Sequence, residues 1–148
     1  MKKGTINEVL NEILVQLFHN IGAIEERAIK TEEFKNVTTN DMHVIEAIGT
    51  GEPKNMSSVA KALSVTTGTL TIAVNSLVKK EFVNRVRSEE DRRVVLISLT
   101  ASGKKAYEQH KKFHEEMINS IIAQLSPEES GILAKALTKI TQFFNEKR

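Results

Sequence analysis

The stretch SSVAKALSVTTGTLTIAVNSLVKKEFVNRVRSEEDRRVVLISLT, residues 57–100, decides the fold. Its first part repeats Val59, Ala60 and Leu63 at helical spacing, with Asn55 placed to cap a helix over residues 56–63. Ser64 and Val65 make a turn, and Thr66 is placed to cap a second helix running to about Lys80. In that helix Leu70, Ala73, Val74 and Leu77 fall at i, i+3, i+4 and i+7 and face inward, so Thr67, Gly68, Thr71, Ile72 and Asn75 face out. Residues 82–87 and 93–99 are rich in β-branched side chains and flank the charged tip Ser88-Glu89-Glu90-Asp91-Arg92, which is the pattern of a hairpin. Two short helices, a tight turn and a hairpin predict a winged helix-turn-helix.

Outward from this centre the chain is helical. Ile6, Val9, Leu10, Ile13, Leu14, Leu17, Phe18, Ile21, Ile24 and Ile29 step by threes and fours, predicting one long helix with a wide apolar stripe. Such a stripe is either an ordinary core face or a surface for a second subunit. Thr38-Thr39-Asn40-Asp41 offers caps for a short helix carrying Met42, Val44, Ile45 and Ile48, which Gly49-Thr50-Gly51-Glu52-Pro53 stops. After the hairpin, Thr100-Ala101-Ser102-Gly103 starts a helix with Ala106, Tyr107, Phe113, Met117, Ile118, Ile121, Ile122 and Leu125. Its polar first half, through Lys112, reads as an exposed connector. Ser126-Pro127-Glu128-Glu129 matches a capping box with proline at the first helical position, ahead of Ile132, Leu133, Ala136, Leu137, Ile140, Phe143 and Phe144. The fold class is mainly α with a small β-hairpin, and its apolar surface exceeds what one winged helix needs. Dimerisation through the terminal helices accounts for the excess.

The 148 residues are about one domain's worth, and the 40% hydrophobic and 27% charged shares are those of a globular chain. The absence of cysteine removes disulfides, thiolate nucleophiles and cysteine-ligated zinc. With no glycine-rich phosphate loop and no Gly-x-Ser-x-Gly, nothing calls for an enzyme or a cofactor. The N-terminus lacks a secretory pattern and no apolar run approaches the roughly 18 residues of a membrane span, so a cytoplasmic protein without a membrane partner is expected. Net charge is only +2, but it is unevenly spread. Between residues 64 and 105, eight basic residues (Lys79, Lys80, Arg85, Arg87, Arg92, Arg93, Lys104, Lys105) oppose four acidic ones (Glu81, Glu89, Glu90, Asp91), leaving the rest of the chain at −2. A basic centre on an acidic scaffold suits a nucleic-acid-facing module.

Small and hydroxyl-bearing residues at the exposed start of a helix let it approach a groove floor, where threonine and asparagine bond base edges or phosphates. A merely solvated helix start is also threonine-rich. Arg85 and Arg87, two apart on a strand, point to one face. A projecting tip with Arg92 and Arg93 can enter a narrow minor groove, and Asp91 helps only if it orients a neighbouring arginine. The plain alternative is a solvated turn with a surface ion pair. His110 and His114 are four apart and share a helix face, as paired metal ligands do or as an ordinary polar pair does.

The runs Ser57-Ser58-Val59-Ala60-Lys61-Ala62-Leu63-Ser64-Val65-Thr66 and Gly68-Thr69-Leu70-Thr71, and above all Asp91-Arg92-Arg93-Val94-Val95-Leu96-Ile97-Ser98-Leu99-Thr100 followed by Gly103, resemble the MarR family of bacterial transcription regulators. The resemblance implies a single domain over residues 1–148, with a winged helix-turn-helix at 36–100 and dimerisation helices at 1–35 and 101–148. It implies a homodimer on double-stranded DNA with a pseudo-palindromic operator. DNA contacts are then expected from Thr66, Thr67, Gly68, Thr69, Thr71, Asn75, Arg85, Arg87, Arg92 and Arg93, with Asp91 orienting the wing and Arg93 entering the minor groove. Ile72 departs from the family pattern, which is often polar or basic there.

Within the family, Ile6-Asn7-Glu8, Ile24-Glu25-Glu26, Phe34-Lys35, Met42-His43, Ile48-Gly49, the wing Arg85-Val86-Arg87-Ser88-Glu89, His110-Lys111 and Phe113-His114 resemble the repressors of bacterial fatty-acid synthesis. That likeness implies acylated acyl carrier protein as co-repressor and an apolar tunnel near Phe18, Ile21, Ile45 and Ile48. Two alternatives stay open. One is a zinc-responsive repressor using His43, His110 and His114 with a carboxylate from Glu25 or Glu26. The other is a regulator released from DNA by a small aromatic or lipophilic ligand.

Overall fold

The structure is a computed structural model and describes residues 4–31 and 33–147; the ends of the expected 1–148 domain and Glu32 lie outside the described residues. The elements in order are α1 (Ile6–Ile29), α2 (Thr39–Ile48), β1 (Lys54–Asn55), α3 (Met56–Ala62), α4 (Thr67–Lys79), β2 (Val83–Arg87), β3 (Val95–Leu99), α5 (Ala101–Ala123) and α6 (Pro127–Glu146). The chain divides into two compact units at the His110/Lys111 boundary, within α5.

Side-chain caps fix where the helices of the first unit begin. Thr5 and Glu8 close a capping box at α1, and Thr38 and Asp41 close another at α2. Asn55 Oδ1 accepts the Ser58 amide at 2.8 Å, so the residue that ends β1 also starts α3. Stops are equally local. Gly49 takes φ 70 at the end of α2, a left-handed conformation that glycine adopts without a Cβ clash. Ser64 at φ 56 makes the turn between α3 and α4, with the Val65 amide returning to the Ala60 carbonyl at 3.0 Å. Glu81 at φ 68 ends α4, with the Phe82 amide returning to the Leu77 carbonyl at 2.9 Å.

The core of this unit gathers Val44, Ile45 and Ile48 of α2, Val59 of α3, Leu70, Val74 and Leu77 of α4, Ile97 and Leu99 of β3, and Ala106 of α5. Each of the larger aliphatic side chains, fully withdrawn from water, contributes about 1.5–3 kcal/mol. The inward set expected for α4 is therefore the set that holds it.

The sheet is antiparallel with order β1-β3-β2, so the hairpin has a third strand. Lys54 and Asn55 pair with Ile97 and Leu96; two residues carry no alternating pattern, which is why β1 is silent in the sequence. The tip also spans more than expected. The Val94 amide bonds the Asp91 carbonyl at 2.9 Å and the Ser88 amide bonds the Val94 carbonyl at 2.8 Å, so Arg93 lies in the tip and β3 starts at Val95.

The polar start of α5 is not the exposed connector its composition suggests. Gly103, Ala106 and His110, at i, i+3 and i+7, are buried. Two of them are small, so they register as a gap in hydrophobicity although they allow the closest approach. A Cβ on Gly103 would lie 2.2 Å from the Phe82 carbonyl oxygen.

Most of α1 faces outward: Ile29 is its buried residue, while Ile6 and Phe18 are 69% and 72% exposed. In the second unit, α6 begins at a Ser126–Glu129 capping box with Pro127 in the first turn. None of its described residues is buried, and Ile132, Leu137, Ile140, Phe143 and Phe144 are exposed along it. Among the described residues, no helix is long and apolar enough to cross a membrane.

Candidate nucleic-acid interface

The outer face of α4 is built from its first two turns. The Thr66 hydroxyl oxygen accepts the Thr69 amide at 3.1 Å and its hydroxyl donates to Thr69 Oγ1 at 2.9 Å. Thr66 is thus committed to starting the helix. The Thr71 hydroxyl donates to the Thr67 carbonyl at 2.8 Å, which leaves its oxygen lone pairs as acceptors on this exposed residue. Thr67, Gly68, Thr69, Ile72 and Asn75 are exposed around it. Unpaired amides and the helix dipole at this end favour anionic partners.

The far end of α4 is anchored by Lys80, whose Nζ donates to Asp41 Oδ2 at 2.7 Å and to the Asn36 carbonyl at 2.8 Å. Asp41 is 7% exposed at its side chain and also caps α2. One carboxylate therefore fixes the angle between α2 and α4, and Lys80 serves the scaffold.

Across the sheet, Val83, Arg85 and Arg87 pair with Leu99, Ile97 and Val95, so both arginines lie on the sheet face that also carries the core residues. From that face Arg85 Nη1 reaches α4 and donates to Asn75 Oδ1. Arg87 Nη1 donates to the Arg92 carbonyl at 2.9 Å, bracing the tip. At the tip, Asp91 holds Arg93 by two points: Nε to Oδ1 and Nη2 to Oδ2, both 3.0 Å, while the Arg93 amide also donates to Oδ1 at 3.1 Å. The guanidinium beside Asp91, and then the Arg93 amide, hold this carboxyl below the usual carboxylate range, and the same pairing raises Arg93. The Arg93 side chain is nonetheless 91% exposed. A charged group in a fixed direction is what a narrow groove selects.

The expected DNA-facing residues thus fall into two adjoining groups, one on α4 with Arg85 and one at the wing tip. The link between Asn75 and Arg85 was not visible in sequence, because ten residues and a change of element separate them. The four residues expected to line a tunnel have different environments. Phe18 is exposed and Ile21 half-buried on α1, whereas Ile45 and Ile48 are wholly buried in the core.

In the first unit, two histidines meet carboxylates. Glu25 Oε1 lies 3.4 Å from His110 Nε2 and 3.7 Å from His43 Nε2, and His110 Nε2 is 2.8 Å from Glu46 Oε1. The first-helix carboxylate is Glu25; Glu26 pairs with Lys30 at 3.0 Å. Glu46 was missed, although its position three residues after His43 puts both on one face of α2. His114 belongs to the second unit, with its ring against Phe113 at 5.6 Å.

A winged helix-turn-helix with this exposed helix and charged tip is the DNA-binding module of a transcriptional regulator. A family model described as Transcriptional regulator SarA/Rot matches residues 28–110. The chain belongs to these regulators, which share the MarR-type winged helix. Among solved structures, Streptococcus pneumoniae FabT in complex with DNA is similar at a TM-score of 0.91 and 39% identity, over 96% of this chain and 99% of that one. The S. aureus MepR–DNA complex is similar at 0.68 and 27%, over 86% and 96%. HTH-type transcriptional regulator PchR of Bacillus subtilis (strain 168) is 28% identical over 139 residues, 92% of this chain and 79% of the relative. The chain is a transcriptional regulator, not an enzyme.

Proposed function

We propose that the protein is a homodimeric repressor of fatty-acid synthesis genes, with α4 in the major groove and Arg93 in the adjacent minor groove. The observation that carries the DNA-binding part is the Asp91–Arg93 fork, which aims an exposed cation from the wing. The fatty-acid part is supported by the sequence resemblance to that group of repressors and by the similarity to FabT.

The exposed apolar residues of α1 and α6 support the dimer. Isolated exposed leucines are ordinary, but Leu10, Leu14, Leu17 and Phe18 on one helix, and Leu133, Leu137, Ile140 and Phe144 on another, form stripes. Light scattering of the purified chain is expected to give twice its 16.6 kDa. Two copies related by a two-fold axis would present two α4 helices to a pseudo-palindromic operator.

Acylated acyl carrier protein is the co-repressor in this reading. Its acyl chain would enter beside Phe18 and Ile21 and press on Ile45 and Ile48, whose burial means that the core must yield to admit it. The test measures affinity for operator DNA with long-chain acylated carrier, unacylated carrier, or zinc. Enhancement by the acylated carrier alone is expected; enhancement by zinc alone rejects the co-repressor.

One observation favours zinc as a second reading. Tetrahedral zinc with bonds of about 2.0–2.1 Å sets its ligands about 3.3 Å apart. The Glu25 oxygen already lies 3.4 Å from His110 and 3.7 Å from His43. Against it, His110 Nε2 is engaged by Glu46 at 2.8 Å, so a metal would have to displace that bond.

A further inference from the structure

We infer that Ile72 and Asn75 together form a thymine reader on α4, and that Arg85 is the positioning residue that sets which way Asn75 faces. The inference rests on the reading that α4 enters the major groove.

Ile72 is 74% exposed on the outer face of α4. No packing explains an isoleucine there, and β-branching is a mild disadvantage in a helix. The apolar group that B-DNA offers in its major groove is the thymine C5-methyl. Asn75 is three residues on and shares that face.

A free asparagine amide can present its oxygen or its nitrogen, and the pair used side by side suits adenine. Here Arg85 Nη1 donates to Asn75 Oδ1. A guanidinium has donors and no acceptor, so it can only hold the amide with its oxygen toward β2. The amide nitrogen, carrying two donors, is then turned away from the strand. A methyl-seeking side chain beside a hydrogen-bond donor matches one base edge: thymine, with its C5-methyl next to the O4 acceptor. Cytosine offers a donor at the position of O4 and no methyl, and guanine offers acceptors without a methyl. The bond between Arg85 and Asn75 also joins the strand leading to the wing with the reading helix, so both are set before DNA arrives.

The test uses the full-length protein and duplexes selected from a randomised library. The recovered sequences are expected to carry a fixed thymine in each half-site. Replacing that thymine by uracil removes only the methyl and is expected to weaken binding about four-fold, the equivalent of one buried methyl. Replacing it by 5-methylcytosine, paired with guanine, keeps the methyl but turns the acceptor into a donor, and is expected to weaken binding about ten-fold or more. Ile72→Ser should erase the thymine/uracil difference, and since the side chain is exposed the fold is not at stake. Arg85→Met should relax the base preference at this position, while Arg85→Lys, which keeps a donor, should restore it; a merely structural role would change affinity without changing preference. Tight binding of selected duplexes with equal affinity for thymine and uracil versions would overturn the reader and leave the proposed function standing. Failure to bind any duplex would overturn both.

Discussion

Asp91 and Arg93 meet through two parallel bonds of 3.0 Å at the tip of the wing, two residues apart and both open to solvent. In so exposed a place the pair adds little to stability, and its consequence is directional. Because Arg93 lowers the Asp91 pKa, the fork is fully formed above the ordinary carboxylate value and opens only as pH falls through the lowered one. A carbon-detected NMR titration of Asp91 should therefore find its midpoint below that of an unpaired aspartate. Arg93→Ala should move it back up; a midpoint unchanged by the substitution would mean that no fork exists in solution.

Lys80 and Asp41 form the pair that fixes α4 against α2, at 2.7 Å and with only 7% of the Asp41 side chain exposed. Removing one member leaves the other short of its partner in a partly buried site. Asp41→Ala also breaks the α2 capping box, so it should cost about 3 kcal/mol, against about 1–2 kcal/mol for Lys80→Met. Urea denaturation of the two variants and the double variant checks this. The double variant should lose less than the sum of the two, and strict additivity would show that the residues act independently.

Two glycines should respond to alanine in opposite ways. At Gly103 the added Cβ would fall 2.2 Å from the Phe82 carbonyl oxygen and 3.2 Å from Leu99 Cβ, so α5 must shift, at about 2–4 kcal/mol. Gly131 in α6 has nothing within 4 Å, and Gly131→Ala should gain about 0.5–1 kcal/mol from helix propensity. Thermal melts of both variants give the signs directly.

These contrasts show what sequence alone conveys. The helix starts were legible where threonine, asparagine and serine caps are local, as at Thr38, Asn55, Thr66 and Ser126. The inward face of α4 was legible because periodicity and burial coincide at Leu70, Val74 and Leu77. The buried stripe of α5 was not, since Gly103 and Ala106 pack by being small and His110 is polar. Nor was the two-residue strand β1, which exists only through its pairing with β3. In the candidate site, the types and spacing of the wing residues carried the resemblance. The Arg85–Asn75 contact, the choice of Glu25 over Glu26 and the presence of Glu46 beside His110 all depend on which elements the fold brings together, which no local pattern encodes.

Counterion release provides a bulk check on the DNA-facing surface. A dimer that neutralises several phosphates through its wings and helix ends should lose about 10³-fold in affinity between about 50 and 200 mM salt. A flat response would place the contacts elsewhere.

The most direct measurement is fluorescence anisotropy of a selected duplex titrated with the wild-type chain and with Arg93→Ala across a salt series. Arg93 is exposed, so the variant should fold normally, which a matching circular dichroism melt verifies. The predicted result is an affinity about ten- to a hundred-fold weaker, with the salt slope reduced by about one for each wing. An unchanged affinity and slope would contradict the account, because the wing would then make no contact with DNA.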